Sequence, residues 1–438
     1  VKLHGAGFIV TRSEAQHLGL GRIEGLETHI REYRNGRDLT ARSRDVMVID
    51  LFGLSAAEAR QKFPAVYQHL SKRVRYDLDA NGQPRVDKEG RKLGREWNAR
   101  QSYKDSWWVF GEPRKDLRPA LEGIPRYIGT VETTKHRVFQ FLDASVLADN
   151  MIVVIADADA ATLAILSSRF HTSWAPAMGG WLGYGNDPRY SKSRCFDPFP
   201  FPDPSDAVRQ QLRSAGEELD ALRKRVLADH PDLTLTGLYN VLEKLNADAP
   251  STASRSPSPV KNGGGSTLTD KDEDVKARGL VLILKELHET IDRLTAEAYG
   301  WPVDLSDQQI LERLVALNAE RAREEAEGHV RWLRPDYQIP RFAKGAKTKT
   351  GELDLGETVV AIDAGKPACP KDRHEQPLAV EAVLAAHAGP MDATTIARAF
   401  KGGGRKIEPR VMQALINLAR YGRVTALADG RFAARRAA

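Results

Sequence analysis

A carboxylate and a guanidinium stand two residues apart at Glu112 and Arg114. Such a pair can accept from the amine of cytosine and donate to the edge of guanine in a major groove, or the two groups can satisfy each other as an ion pair. Lys135, His136 and Arg137 crowd a polar junction between two runs of strand composition, Arg126 to Val131 and Arg137 to Leu142. No matched acid or nucleophile lies near His136 in sequence, so a local hydrogen bond suits it better than catalysis. Arg169, His171, Lys192 and Arg194 surround a segment stiffened by Pro188, Pro198 and Pro200. Together with Arg126 these groups suit a polyanion, and no catalytic residue is expected among them. The two cysteines, Cys195 and Cys369, are far apart and lack ligand spacing, so neither a disulfide framework nor a metal centre is expected.

The elements that must position these residues follow from periodicity. The stretch from Met151 to Pro204 reads as a strand (MIVVIA), a helix ending in SSRFHTSWA, a glycine-rich passage and a rigid basic and aromatic loop. Upstream, Ser55 to Val74 predicts a helix opened by a Ser55–Glu58 capping box and broken near Pro64. Arg75 to Arg100 is polar, with turn signals at Asn81-Gly82 and Glu89-Gly90, and reads as a mobile basic loop or hairpin. Trp107 and Trp108 are expected in a core. Val1 to Asp50 reads as loops and short strands, with a turn at Asn35-Gly36. Gly5 and Gly7 make no cofactor loop, because only four residues precede Gly5 and such a loop should follow a buried strand. Downstream, a helical hairpin begins at Asp206, one long helix spans Asp272 to Ala298 with Leu280 and Ile283 inward, and Ser306 with Gln309 caps another.

Charge is unevenly placed. The chain of 438 residues carries a net charge of +6, yet Lys401 to Ala438 alone holds nine basic residues against two acidic ones. Arg60 to Arg100 holds eleven against five. Concentrated positive charge is what phosphate neutralisation requires. Pro377 to Ala388, Asp392 to Phe400 and Glu408 to Tyr421 predict three helices, followed by a hairpin turning at Asp429-Gly430. Three helices and a basic hairpin match a winged helix-turn-helix, with Arg405, Lys406, Arg410, Arg420, Arg423 and Arg431 as phosphate contacts; a winged helix used for protein contacts is the competing use. No apolar run approaches the ~20 residues that span a bilayer, so no membrane partner is expected and the cytoplasm is the expected compartment.

Read in order, GAGFIV, YRNGRDL, VIDLFG, WWVFGEPR, TTKHRVFQFL, LSSRFHTSWA, GNDPRYSKSRCFDPFPFPDP, LYNVLEKL, AYGWPVDLSDQQILERLVALNAER and GHVRWLRPDYQIPRF resemble the post-catalytic half of adenine-specific DNA methyltransferases. The resemblance is to the fused type II restriction-modification polypeptides and the class 1 DISARM phage-defence methyltransferase. It implies a target recognition domain that binds double-stranded DNA, a helical region after it, and an S-adenosylmethionine domain bearing an Asn/Asp-Pro-Pro-Tyr/Phe motif. That motif is absent here. Asp187-Pro188-Arg189-Tyr190 only echoes it, with arginine in place of the second proline. The chain is thus expected to read DNA without methylating it and to hold no cofactor of its own, its partners being the missing methyltransferase domain and other proteins of a defence system.

The expected fold class is α+β. A segment at 1–50 follows the catalytic domain, a mixed-strand recognition domain spans 51–204, and a helical region spans 205–342 with a disordered linker at 250–269. A second linker at 343–375 leads to the winged helix at 376–438. A stand-alone DNA-binding specificity subunit or winged-helix regulator is the alternative function.

Overall fold

The computed structural model describes residues 1–182, 187–247, 268–342, 370, 376–385, 390–400, 407–420, 424–427 and 431–434. The linkers expected at 250–269 and 343–375 lie outside these residues, apart from Leu268, Thr269 and Pro370. The chain forms two compact units, Val1–Lys347 and Thr348–Ala438. The divisions expected at 50 and 204 both fall inside the first. Helices and mixed sheets make the fold α+β.

Short alternating runs near the start give β1 (Ile9–Thr11), β2 (Ile30–Arg34) and β3 (Val46–Ile49), with β3 antiparallel to both others. Thr11 and Glu14 form a capping box that opens α1 (Arg12–His17). Asn35-Gly36 is not a turn. Asn35 caps α2 (Gly36–Thr40) by accepting from the Arg37 and Asp38 amides, and Asp38 bonds back to the Asn35 amide. The same two residue types serve turn and cap because both uses need a side chain that bonds the local backbone. Ser55 and Glu58 cap α3 (Ala56–Lys62), and Pro64 starts α4 (Pro64–Leu70), where a proline costs no helical hydrogen bond. Two short helices follow, α5 (Gln101–Asp105) and α6 (Leu117–Leu121). Trp107 is buried with Phe8, Val66 and Leu70, and the Trp108 indole donates to the Leu54 carbonyl at 2.9 Å.

The middle of the unit is built on β4 (Arg126–Val131), which pairs antiparallel with β5 (Gln140–Asp143) and, on its other side, with a later strand. Between them β6 (Leu147–Ala148) crosses to the first sheet and runs parallel to β2. The apolar MIVVIA run supplies that later strand, β7 (Ile152–Ile155). Next comes α7 (Ala160–Ser167), buried on every side and rich in alanine, and α8 (Arg169–Met178), which leads into the hairpin of β8 (Gly180–Leu182) and β9 (Asp187–Arg189).

Helices complete this core: α9 (Asp206–Asp229), α10 (Leu235–Ala247), α11 (Asp270–Arg278), α12 (Val281–Tyr299) and α13 (Asp307–Ala326); α14 (Pro335–Phe342) follows and buries no residue. One continuous apolar cluster runs from Ile128 through Phe170 and Leu219 to Leu314. The single helix expected over 272–298 is two. Leu280 sits at φ +49°, and a Cβ on Gly279 would come within 2.4 Å of the Val275 carbonyl and 2.3 Å of Leu238. The break rotates the second helix, so Val281 and Leu284 are buried while Ile283, expected inward, is 42% exposed. No helix of the described residues is long and apolar enough to cross a membrane.

The second unit contains α15 (Gln376–Ala385), α16 (Ala393–Arg398) and α17 (Glu408–Arg420), and an antiparallel pair, β10 (Val424–Ala426) and β11 (Phe432–Ala434). Val380, Leu384, Ile396, Phe400, Val411, Leu415, Val424 and Phe432 form its core. The turn expected at Asp429-Gly430 lies outside the described residues.

Candidate nucleic-acid interface

Most of the cations singled out from the sequence are bound to the protein itself. Arg126, at the start of β4, donates to the Ala158 carbonyl at 3.0 Å and pairs with Glu217 of α9, its guanidinium lying over the Phe141 ring. Lys135 donates to Asn240 and Glu243 of α10, each at 2.8 Å, and His136 shares a 2.8 Å hydrogen bond with the same Asn240. Arg169 donates to the Leu305 carbonyl and to Asp307, both at 2.8 Å, fixing α8 to the start of α13. Arg126, Lys135 and His136 thus tie the sheet region to helices and Arg169 ties one helix to another, in place of the free groups that the sequence suggested as DNA contacts.

Arg137 and His171 are held more deeply in the protein. Arg137 donates to Thr130 Oγ1 at 3.2 Å, to the Val131 carbonyl and to the Pro188 carbonyl at 3.2 Å, and lies over the Tyr190 ring. It pairs with no carboxylate among the described residues, and burial lowers its pKa to about 10. His171 is fully buried among Phe139, Tyr190 and Phe199, with Nε2 hydrogen-bonded to the Tyr190 hydroxyl at 2.9 Å and Nδ1 without a partner. Tyr190 itself is 1% exposed. It cannot stack on a flipped base, so Asp187-Pro188-Arg189-Tyr190 is a packing motif at its aromatic end.

Burial, reinforced by the Arg137 cation, lowers the His171 pKa to about 3. In the unfolded chain histidine titrates near 6.5. Below that pH the unfolded state takes up a proton that the folded state refuses, so the stabilisation held above pH 6.5 is lost as pH falls toward 3. The native protein is expected to lose about 3–5 kcal/mol more than His171→Gln between pH 7 and pH 3.5, since each tenfold difference in proton affinity between the two states is worth about 1.4 kcal/mol. Parallel urea titrations of the two proteins at each pH measure the difference; superimposable pH dependences would show that His171 is charged in the folded protein.

What remains outward is smaller. Glu112 and Arg114 pair with each other at 3.2 Å, both about half exposed, and Glu112 also faces Lys2 at 3.6 Å. Lys192 pairs with Asp197 at 2.8 Å and is 76% exposed. Arg194 is exposed and makes no ion pair among the described residues. Arg189, which the sequence did not single out, is half exposed against Glu132. Exposed pairs of this kind are worth about 0–1 kcal/mol and exchange partners readily. Arg189, Lys192 and Arg194 therefore form a basic edge beside the β8–β9 hairpin, and Glu112 with Arg114 forms a separate polar pair.

In the second unit Arg405, Lys406 and Arg423 lie outside the described residues, as does the side chain of Arg420. Arg410 and Arg431 are exposed. The outer face of α17 also carries Met412 and Ile416, 38% and 48% exposed, a more apolar face than phosphate contact alone requires.

A Cβ on Gly7 would lie 2.4 Å from the Arg73 carbonyl oxygen, so this glycine admits the chain's own backbone.

Residues 89–203 match the family described as "MmeI, target recognition domain". The chain is 30% identical to DNA methyltransferase A of Bacillus subtilis (strain 168) over 177 residues, 40% of this chain and 15% of that protein. It thus spans a small part of that relative's length. Among solved structures it is similar to the type IIL restriction-modification enzyme MmeI in complex with DNA, at 17% identity and a TM-score of 0.46, covering 73% of this chain and 34% of the other. The stretch from β4 to the basic edge beside β8–β9 thus lies within a region that matches a target recognition domain.

Proposed function

We propose that this chain reads a specific duplex DNA sequence on behalf of an S-adenosylmethionine-dependent, adenine-specific DNA methyltransferase acting in restriction-modification or phage defence. The match of residues 89–203 to the MmeI target recognition domain carries the reading. The similarity to DNA methyltransferase A supports the link to methyl transfer. In this reading the cofactor and the chemistry are assigned to a catalytic domain with which this region works; the burial of Tyr190, which leaves it no face for a flipped base, supports that assignment. Glu112, Arg114, Arg189, Lys192 and Arg194 are the groups that meet the duplex, trading weak exposed ion pairs for bases and phosphates. The second unit acts as a winged helix with α17 in the major groove and Arg410 and Arg431 on phosphates, joined by Arg405, Lys406, Arg420 and Arg423.

Selection of bound duplexes from a randomised pool tests this. Enrichment of one short sequence is expected, with Arg194→Ala broadening it by about 1–3 kcal/mol of lost discrimination at one base pair if that residue meets a base edge. Even recovery of all sequences would refute the recognition role.

A further inference from the structure

Residues 77–94 build one turn twice. Asp79-Ala-Asn-Gly-Gln and Asp87-Lys-Glu-Gly-Arg begin eight residues apart. In each, the aspartate Oδ1 accepts from the backbone amides two and four residues on, all four bonds being 2.9 Å long. Asp79 and Asp87 donate their own amides to the Gln83 and Arg91 carbonyls at 2.8 and 2.9 Å. Gly82 and Gly90, at φ +77° and +76°, close the two turns. The rungs repeat too: the Arg85 amide donates to Asp77, and the Leu93 amide to Arg85, again eight residues on.

This arm stands on the body through Arg95, which is 3% exposed. Its guanidinium donates to the carbonyls of Leu3 (2.6 Å), His4 (3.2 Å), Ser106 (3.1 Å), Trp107 (3.4 Å) and Val109. Beyond that anchor the arm has almost nothing to bury, and Val86 is 56% exposed. Asp79 and Asp87 each give one carboxylate oxygen to backbone amides. Arg85 and Arg91 are exposed but paired, Arg85 with Asp77 at 3.7 Å and Arg91 with Asp87 at 2.6 Å and Glu89 at 2.7 Å, while Lys88 and Lys92 are exposed and have no ion pair among the described residues. Lys92 rests 4.5 Å above the exposed Trp97 ring.

We propose that this arm is a preformed clamp for the phosphate backbone of duplex DNA, outside the base pairs that the rest of the first unit reads. The inference rests on the DNA-recognition reading above. A protein interface needs an apolar centre, which the arm lacks, whereas phosphates require only positioned cations. The doubled turn fixes the backbone that carries those cations before binding, so only their side chains remain to be ordered when they meet the duplex.

The test is the full chain carrying Arg85→Ala, Lys88→Ala and Lys92→Ala together, titrated against random duplex and the selected sequence over a range of salt. The slope of log affinity against log salt is expected to fall by about 2.7, at about 0.9 for each phosphate no longer neutralised, with affinity down about tenfold or more on both duplexes and their ratio unchanged. An unchanged slope in a variant that melts like the native protein would overturn the clamp. Arm-dependent binding without any sequence preference would keep the clamp and sink the recognition reading; failure of the native chain to bind duplex would overturn both. Equal, arm-dependent binding of poly-glutamate would show a general acidic-surface site and also overturn the clamp.

Discussion

Replacing Arg137 with alanine is expected to destabilise the first unit by about 1–3 kcal/mol, the cost of leaving a buried acceptor without its donor. The Val131 and Pro188 carbonyls and Thr130 Oγ1 lose their donor, and the Tyr190 ring loses the cation above it. Arg137→Lys keeps the charge but not the planar fork that spans β4 and β9, so about half of the loss is expected to persist. Urea unfolding gives the two values. A DNA titration separates this role from base reading: affinity for cognate and random duplex falls together, in proportion to the folded fraction. A selective loss on the cognate sequence, with unfolding unchanged, would restore Arg137 to the interface.

Gly216→Ala carries the second large effect. In α9, the added Cβ would lie 2.2 Å from the Ala160 carbonyl oxygen and 3.0 Å from its carbon, both backbone atoms of α7. Neither can rotate away, so the helices must separate. Overpacking of this kind costs about 1–3 kcal/mol, and a clash with rigid backbone belongs at the upper end despite the gain in helix propensity. A thermal melt several degrees below the native protein is the expected readout. A variant as stable as the native protein would show that α7 and α9 can move apart freely.

Capping boxes were legible in the sequence because their partners sit three residues apart, so Ser55–Glu58 and Ser306–Gln309 both cap helices. The β4 run and the MIVVIA strand were legible from composition. Burial of charge was not. Arg126 and Arg169 sit at element ends and Arg137 in the β4–β5 connection, where carbonyls or carboxylates from distant residues converge, and nothing local in the sequence distinguishes such a position from a surface one. His171 looks polar and accessible in a helical pattern, yet Phe139, Tyr190 and Phe199 enclose it from three separate segments. The tandem turn was present all along as Asp-x-x-Gly at a period of eight; its value lay in comparing the two halves of Arg75 to Arg100 with each other.

The continuous core ties residues 89–203 to the helices that follow them. Phe170 of α8 stacks on Tyr299 of α12 at 5.4 Å, Tyr299 stacks on Trp301 at 4.4 Å, and Arg169 reaches Asp307. Residues 89–203 are therefore not a cassette. Exchanging them alone between homologues would leave two half-cores cut from different templates, each missing its complement. The exposed groups that the proposed reading assigns to the duplex, Glu112, Arg114, Arg189, Lys192 and Arg194, stand instead at the rim, where a side chain can change without rebuilding that core.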